Sequence, residues 1–303
     1  MDSGPAEDDG DAIRGDHVAM SAGVRYREMT RADIPAGLRL CRAARWNQLE
    51  EDWRIFLDNS PHGCRVAERH GDVIGTVATL PFGDRFSWIS MVLVDPAERG
   101  AGIGTRLLEE ALDILGNRVC ARLDATPAGR PLYARRGFVE EYAISRMTAT
   151  IDAALFASDA RARPMREEDF RAVLAMDQGA FGADRAFLLR SLFQRAPGYA
   201  WVAIENSAMC GYCFGRPGFL YHQLGPIVAR DFETAAALAG TCLARCNGSK
   251  LGIDVLRHDV SWLFWLERRG FREERSLVRM FHGENRYPGR VANIYAITGP
   301  EFG

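Results

Sequence analysis

Lysine is almost absent: Lys250 stands alone among 38 basic residues, and the arginines that make up the rest are interleaved with 40 acids for a net charge of −2. That balance provides no broad basic face for nucleic acid. The shortage of lysine is read as a coding bias toward arginine rather than as selection for phosphate contacts. It also excludes a nucleotide-triphosphate loop, which needs Gly-Lys-Ser/Thr. No run of about 18 apolar residues occurs, so no membrane-spanning helix is expected. The stretch 1–23 has no apolar run and carries Asp2, Glu7, Asp8, Asp9, Asp11 and Asp16. It reads as a disordered acidic tail, neither secretion signal nor anchor. Cysteines number seven, an odd count without a secretion signal, which points to reduced thiols and a cytoplasmic setting.

No metal is expected either. Cys210-Gly211-Tyr212-Cys213 has the look of half a zinc site, but it lies in an apolar strand pattern, Met209 to Phe214, where residues three apart point to opposite faces. Cys242 and Cys246 are helical neighbours without a further ligand pair, so buried thiols are expected at both places.

What is present is a soluble-type composition, 47% hydrophobic and 26% charged, over 303 residues, enough for two domains. The chain also repeats itself. Arg135-Arg136-Gly137-Phe138-Val139-Glu140-Glu141 with Arg146-Met147 recurs as Arg268-Arg269-Gly270-Phe271-Arg272-Glu273-Glu274 with Arg279-Met280, at an offset of 133. Arg27-Glu28-Met29 with Asp33 recurs as Arg163-Pro164-Met165 with Asp169. Two copies of one fold are expected, meeting near residues 151–160. Each reads as a strand, two helices, a hairpin, a central strand, a helix, a strand, a helix and closing strands. The first hairpin is expected to turn at His70-Gly71-Asp72, and the second to span 199–215. The fold class is α/β, with a mixed sheet and helices on both faces in each copy.

One stretch concentrates the chemistry. Ser87 to Val94 is apolar and β-branched, Asp95-Pro96 stops it, and a helix begins at Gly100, Gly102 and Gly104. These glycines remove Cβ atoms and leave backbone N–H groups at a helix N-terminus, which suits a diphosphate, and Arg99 adds positive charge. A dinucleotide loop fails, because the third glycine of Gly-x-Gly-x-x-Gly would fall on Thr105 or Leu107. A purely structural turn remains possible for the loop alone.

The run Val92-Leu93-Val94, Arg99-Gly100-Ala101-Gly102-Ile103-Gly104-Thr105, and Tyr133 four residues before Gly137-Phe138, resembles the GNAT superfamily of acyl-CoA-dependent N-acyltransferases. Trp46-Asn47-Gln48, Trp88-Ile89-Ser90-Met91, Leu123 to Gly129 and Ala296 to Gly303 look like a bacterial subgroup with an N-terminal acetyltransferase domain and a degenerate GNAT-like C-terminal domain. The resemblance implies that residues 92–94 and 99–105 hold acetyl-CoA and that N–H groups near Leu93 and Val94 polarise its carbonyl. It implies Tyr133 as general acid; alone, Tyr133 would read as an amphipathic core residue. A departing thiolate resembles cysteine, pKa about 8.5, and a phenol of pKa about 10 can protonate it.

The resulting division is a catalytic unit at 24–150 and a degenerate unit at 151–303 that shapes the substrate. In the second copy the glycines give way to Ala229-Arg230-Asp231-Phe232-Glu233-Thr234. Asp231 can cap its own helix, Glu233 would repel a diphosphate, and Leu266 stands where Tyr133 stands. The expected acceptor is a primary amine of a small molecule. Candidate walls are Trp46, Asn47, Trp53, Trp88 and Asp124, with Tyr221 and His222 from the second copy. Packing competes as the reason for each aromatic. The base is not identified; Glu51, Asp52, His62 and Asp124 are candidates, each also readable as structural. A non-catalytic acyl-CoA-binding or regulatory protein, acyl-CoA hydrolysis and a biosynthetic acyl transfer stay open, and the sequence does not fix the acyl length or oligomeric state.

Overall fold

A computed structural model describes residues 23–116 and 120–303. The acidic stretch expected to be a mobile tail lies, but for Gly23, outside the described residues. The first half runs β1 (Arg25–Glu28), α1 (Ile34–Ala43), α2 (Glu50–Asn59), β2 (Cys64–Arg69), β3 (Asp72–Phe82), β4 (Phe86–Val94), α3 (Ile103–Leu115), β5 (Cys120–Ala125), α4 (Arg130–Arg135) and β6 (Val139–Thr150). The second runs β7 (Ala162–Pro164), α5 (Phe170–Phe181), α6 (Ala186–Arg195), β8 (Trp201–Glu205), β9 (Ala208–Arg216), β10 (His222–Ala229), α7 (Phe232–Leu243), β11 (Lys250–Leu256), α8 (Val260–Glu267), β12 (Arg272–His282) and β13 (Ile294–Ala296). The two hairpins turn where the sequence places them.

The repeat is carried by a shared device. Arg27 donates two hydrogen bonds of 2.8 Å to Asp33, and Arg163 two of 2.7 Å to Asp169. Each carboxylate also accepts a backbone N–H at 2.8 Å, from Thr30 and Arg166, and so fixes the entry to the first helices of its half. Met29 and Met165 are buried beside these turns. Helix α3 shows why periodicity predicts placement: Ile103, Leu107, Leu108 and Ala111 form its buried stripe. It lies close to β3 because Gly75 has no side chain; a Cβ there would sit 2.9 Å from Leu107.

All thirteen strands join one mixed sheet in the order β1-β2-β3-β4-β5-β12-β6-β11-β10-β9-β8-β7, with β13 beside β10. The closing strands are therefore exchanged. Strand β12 of the second half lies between β5 and β6, and β6 of the first lies between β12 and β11. Two buried ion pairs sit at equivalent points of this exchange. Arg279 bonds Asp124 at 2.8 and 2.9 Å on the β12–β5 register, and Arg146 bonds Asp254 at 2.7 Å twice on the β6–β11 register. The core follows suit: Phe82, Phe86 and Trp88 pack with Phe181, Leu188 and Phe302.

Candidate active site

Strands β4 and β5 pair in parallel from Phe86↔Cys120 to Trp88↔Arg122 and then part. Beyond that point Ile89 to Val92 and Leu123 to Thr126 are the two arms of a fork, and a cavity opens between them. A bulge in the β3–β4 ladder between Thr76 and Ala78 helps β4 bend away. Met91 sits at its turn with φ 53°, and the Thr76 hydroxyl donates to Met91 O at 2.7 Å, holding the kink. The strand thus turns unpaired backbone toward the cavity at Ile89 to Val92. Leu93 and Val94, expected to face the carbonyl, continue the strand; like Ile89 and Ser90 they are in register with β3, at Thr76 and Gly75, and the Leu93 side chain is buried in the core.

At the outer end, Asp95 accepts the Ala97 N–H at 3.1 Å and an Arg39 hydrogen bond at 2.5 Å, which fastens the start of the loop to α1. Arg39 holds the Asp95 carboxyl below the usual carboxylate range. Gly100 and Gly102 take φ of 85° and 77°, a region that favours glycine. No side chain caps α3. Its first N–H groups therefore have no side-chain acceptor. Arg99 and Gly100 are exposed there, with Arg99 Nε–H directed to Val94 O at 3.3 Å.

Tyr133, on α4, lines the cavity from the β5 side. It is 9% exposed, packs edge-on against Phe138, and its hydroxyl makes no hydrogen bond among the described residues. Burial pushes its phenol up to about 12, so it remains a proton donor at neutral pH. Gly129 makes room for the ring, since a Cβ there would lie 2.9 Å from it.

Of the other expected walls, Trp46 and Asp124 reach the cavity. Asp124 is fully buried in the Arg279 pair. The rest are not among its lining residues. Trp53 is wholly inside the α1/α2 core, and Trp88 donates Nε1–H to Pro300 O at 2.9 Å with the Arg279 guanidinium over its ring. Asn47 clasps the second half, donating to Tyr221 O at 2.9 Å and accepting from Leu220 N–H at 2.7 Å. Tyr221 is buried over Gly252, and His222 bonds the Tyr199 hydroxyl at 2.9 Å. Among the base candidates, Glu51 and His62 are exposed, and Asp52 is buried between Arg195 and Arg216.

Sequence reasoning missed Gln48, Ser90, Arg146, Arg275, Pro300 and Glu301, all of which line the cavity. The first two and Glu301 fall inside stretches noted only for likeness, so the signal available was a polar residue in each.

The second half differs at each of these points. Asp231 accepts the Thr234 N–H at 2.9 Å and so occupies the N-terminus of α7, while Leu266 is buried at the place of Tyr133. The fork between β10 and β11 is filled by the chain's own β13, which pairs with β10 at Ile227↔Ala296 and then donates Ile297 N–H to Asp254 O at 2.9 Å. Trp262 locks this plug, donating Nε1–H to Tyr295 O at 2.9 Å.

Comparison with known proteins places both halves. A family model described as "Acetyltransferase (GNAT) family" matches residues 32–138, and one described as "Acetyltransferase (GNAT) domain" matches residues 173–296. The chain is 26% identical over 267 residues to an uncharacterized N-acetyltransferase, YitH, of Bacillus subtilis, covering 88% of this chain and 94% of that one. It is 24% identical over 262 residues to a holothin acyltransferase of a Pseudoalteromonas species, covering 86% and 88%. In fold it is similar to the crystal structure of a putative acetyltransferase from Pyrococcus horikoshii, with TM-score 0.79 and 21% identity, covering 96% of this chain and all of that one.

Proposed function

We propose that this chain, which belongs in both halves to the GNAT superfamily of acyl-CoA-dependent N-acyltransferases, moves an acetyl group from acetyl-CoA to a primary amine of a small molecule. The chemistry is assigned to residues 24–150, and the acceptor side is shaped by residues 151–303. The observation that carries the reading is the contrast between the two forks. In the first, the glycine-led helix carries no side-chain cap and a buried tyrosine lines a cavity between the parted strands. In the second, the helix is capped by Asp231 and the fork is filled by β13.

Residue by residue, the steps are these. The N–H groups of α3 and the Arg99 side chain take the diphosphate of acetyl-CoA. The unpaired edge of β4 at Ile89 to Val92 receives the chain leading to the thioester and polarises its carbonyl. The amine attacks, and Tyr133 gives its proton to the departing thiolate. Acceptor access is limited by Arg275 and Leu277 of β12 and by Pro300 and Glu301 of the C-terminal tail, all in the cavity wall, which favours a small molecule over a folded protein. All seven cysteines are free thiols, which suits a reducing cytoplasm.

The test is mass spectrometry of products formed from acetyl-CoA and a panel of primary amines. An acetylated amine made by the wild type and lost on Tyr133→Phe supports the reading. Acetyl-CoA binding without transfer to any amine, or hydrolysis alone, would replace it with the binding or hydrolytic alternative.

A further inference from the structure

Three polar side chains of the first fork have no chemical role in the steps above. Gln48, Ser90 and Glu301 are 5%, 8% and 3% exposed, and all line the cavity. Gln48 Oε1 and Ser90 Oγ make no hydrogen bond. Buried polar atoms without a partner are costly, and two of them lining one cavity mark a place where a ligand supplies the missing partner. The groups also agree in kind. An amide oxygen and a carboxylate accept only, and a hydroxyl accepts as well as donates. Together they match a ligand group rich in N–H donors.

Glu301 is brought to this wall by the C-terminal tail. After β13 plugs the second fork, the tail crosses to the first, where Pro300 O accepts from Trp88 and Phe302 stacks on Phe56 with ring centres 5.1 Å apart. Arg185 donates to Gly303 O at 2.8 Å, and Arg216 ion-pairs with Glu301 while also bonding Asp52 at 2.9 Å. Arg195 is the second cation on Asp52. The nearby Arg146 is held in two bonds by Asp254, so it does not claim Glu301.

We propose that Gln48, Ser90 and Glu301 form the acceptor-amine subsite, and that the Glu301 carboxylate takes the proton of the bound ammonium before attack. The proposal rests on the acetyl-transfer reading. In the step, an N–H bond breaks and an O–H bond forms on Glu301, freeing the nitrogen lone pair. The nitrogen bonds to the thioester carbon, and the C–S bond breaks with its electron pair on sulfur. Tyr133 protonates that sulfur and recovers a proton from the new amide nitrogen, and Glu301 returns its own proton to solvent. The sum is ammonium plus thioester giving amide, thiol and one proton. Burial pushes the Glu301 carboxyl above the usual carboxylate range, aided by Asp52 and opposed by Arg216 and Arg146, the direction a proton acceptor needs.

The test uses the full chain with acetyl-CoA and two probe amines, 2-phenylethylamine, which is protonated at pH 7, and aniline, which is neutral there. Glu301→Gln is expected to lower kcat/KM for 2-phenylethylamine by about 10²- to 10⁴-fold and for aniline by less than about tenfold, with acetyl-CoA affinity kept and Glu301→Asp partly restoring the first. Equal loss for both amines, or no loss, overturns the proposal. Should Glu301→Gln fail to fold, Gln48→Leu decides: KM for 2-phenylethylamine rises about tenfold, roughly the weight of one hydrogen bond, with KM for acetyl-CoA unchanged, and an unchanged amine KM overturns it. If the wild type binds acetyl-CoA but acetylates neither probe nor any other amine, the transfer reading itself fails and takes this subsite with it.

Discussion

Replacing Asp124 by Asn tests the exchanged strands at their most exposed assumption. The Asp124 side chain is 0% and the Arg279 side chain 2% exposed, and the guanidinium also bonds the Tyr142 hydroxyl at 2.6 Å. Burial raises the Asp124 carboxyl, and Arg279 works against that rise. Asparagine keeps the shape and removes the charge, leaving a buried guanidinium uncompensated. Breaking a buried pair from one side costs about 3–5 kcal/mol, whereas replacing both members by apolar residues is often nearly neutral. At about 2–4 °C per kcal/mol for a large domain, Asp124→Asn should lower Tm by roughly 6–20 °C. Urea melts followed by circular dichroism and tryptophan fluorescence should coincide in one transition, because β12 and β6 bind each half into the other's sheet. An Asp124→Leu, Arg279→Met double variant should recover most of the loss. A single variant within about 1 kcal/mol of wild type, or two separate transitions, would refute the interlock.

Further outcomes follow from the same contacts. Tyr133→Phe should lower turnover by about 10²- to 10⁴-fold with acetyl-CoA affinity nearly unchanged; full turnover with lower Tm would make it a packing residue. Because burial holds that phenol near 12, the alkaline limb of turnover should lie above the ordinary phenol value of about 10. Asp33 is held at about 2, chiefly by its hydrogen bonds from Arg27, against an ordinary value of 3.8. Its contribution to stability is therefore complete above about pH 4 and fades as pH falls toward 2, and Arg27→Ala should flatten that acid limb of Tm; identical limbs would exclude the pair. Removing residues 161–303 should abolish the folded state of the first half, since β5 and β6 would lose the strand between them; a folded, active fragment would contradict the exchange.

The loop, the tyrosine and the repeat were legible because each is local: φ-permissive glycines, a fixed spacing and a recurring string carry their meaning within a few residues. Strand exchange was not, because periodicity identifies a strand without naming its partner. Asp124 shows the consequence. In sequence it is a lone carboxylate in an apolar strand and invites a reading as base, yet its partner Arg279 stands 155 residues away. The terminal Ala296 to Gly303 was noticed as a likeness, but its path from one fork to the other depends on Trp88, Trp262 and Arg216, which no short-range pattern connects. Trp53 and Trp88 were ambiguous for the opposite reason, since a large aromatic serves a core or a pocket wall equally well, and both went to the core.

Calorimetric titration of the full chain with acetyl-CoA measures the asymmetry of the two forks directly. One site per chain is expected, and Gly102→Glu, which puts a side chain and a negative charge at the start of α3, should abolish it while the fold persists. Saturation at two per chain, or unchanged affinity in that variant, would contradict the assignment of the chemistry to the first fork alone.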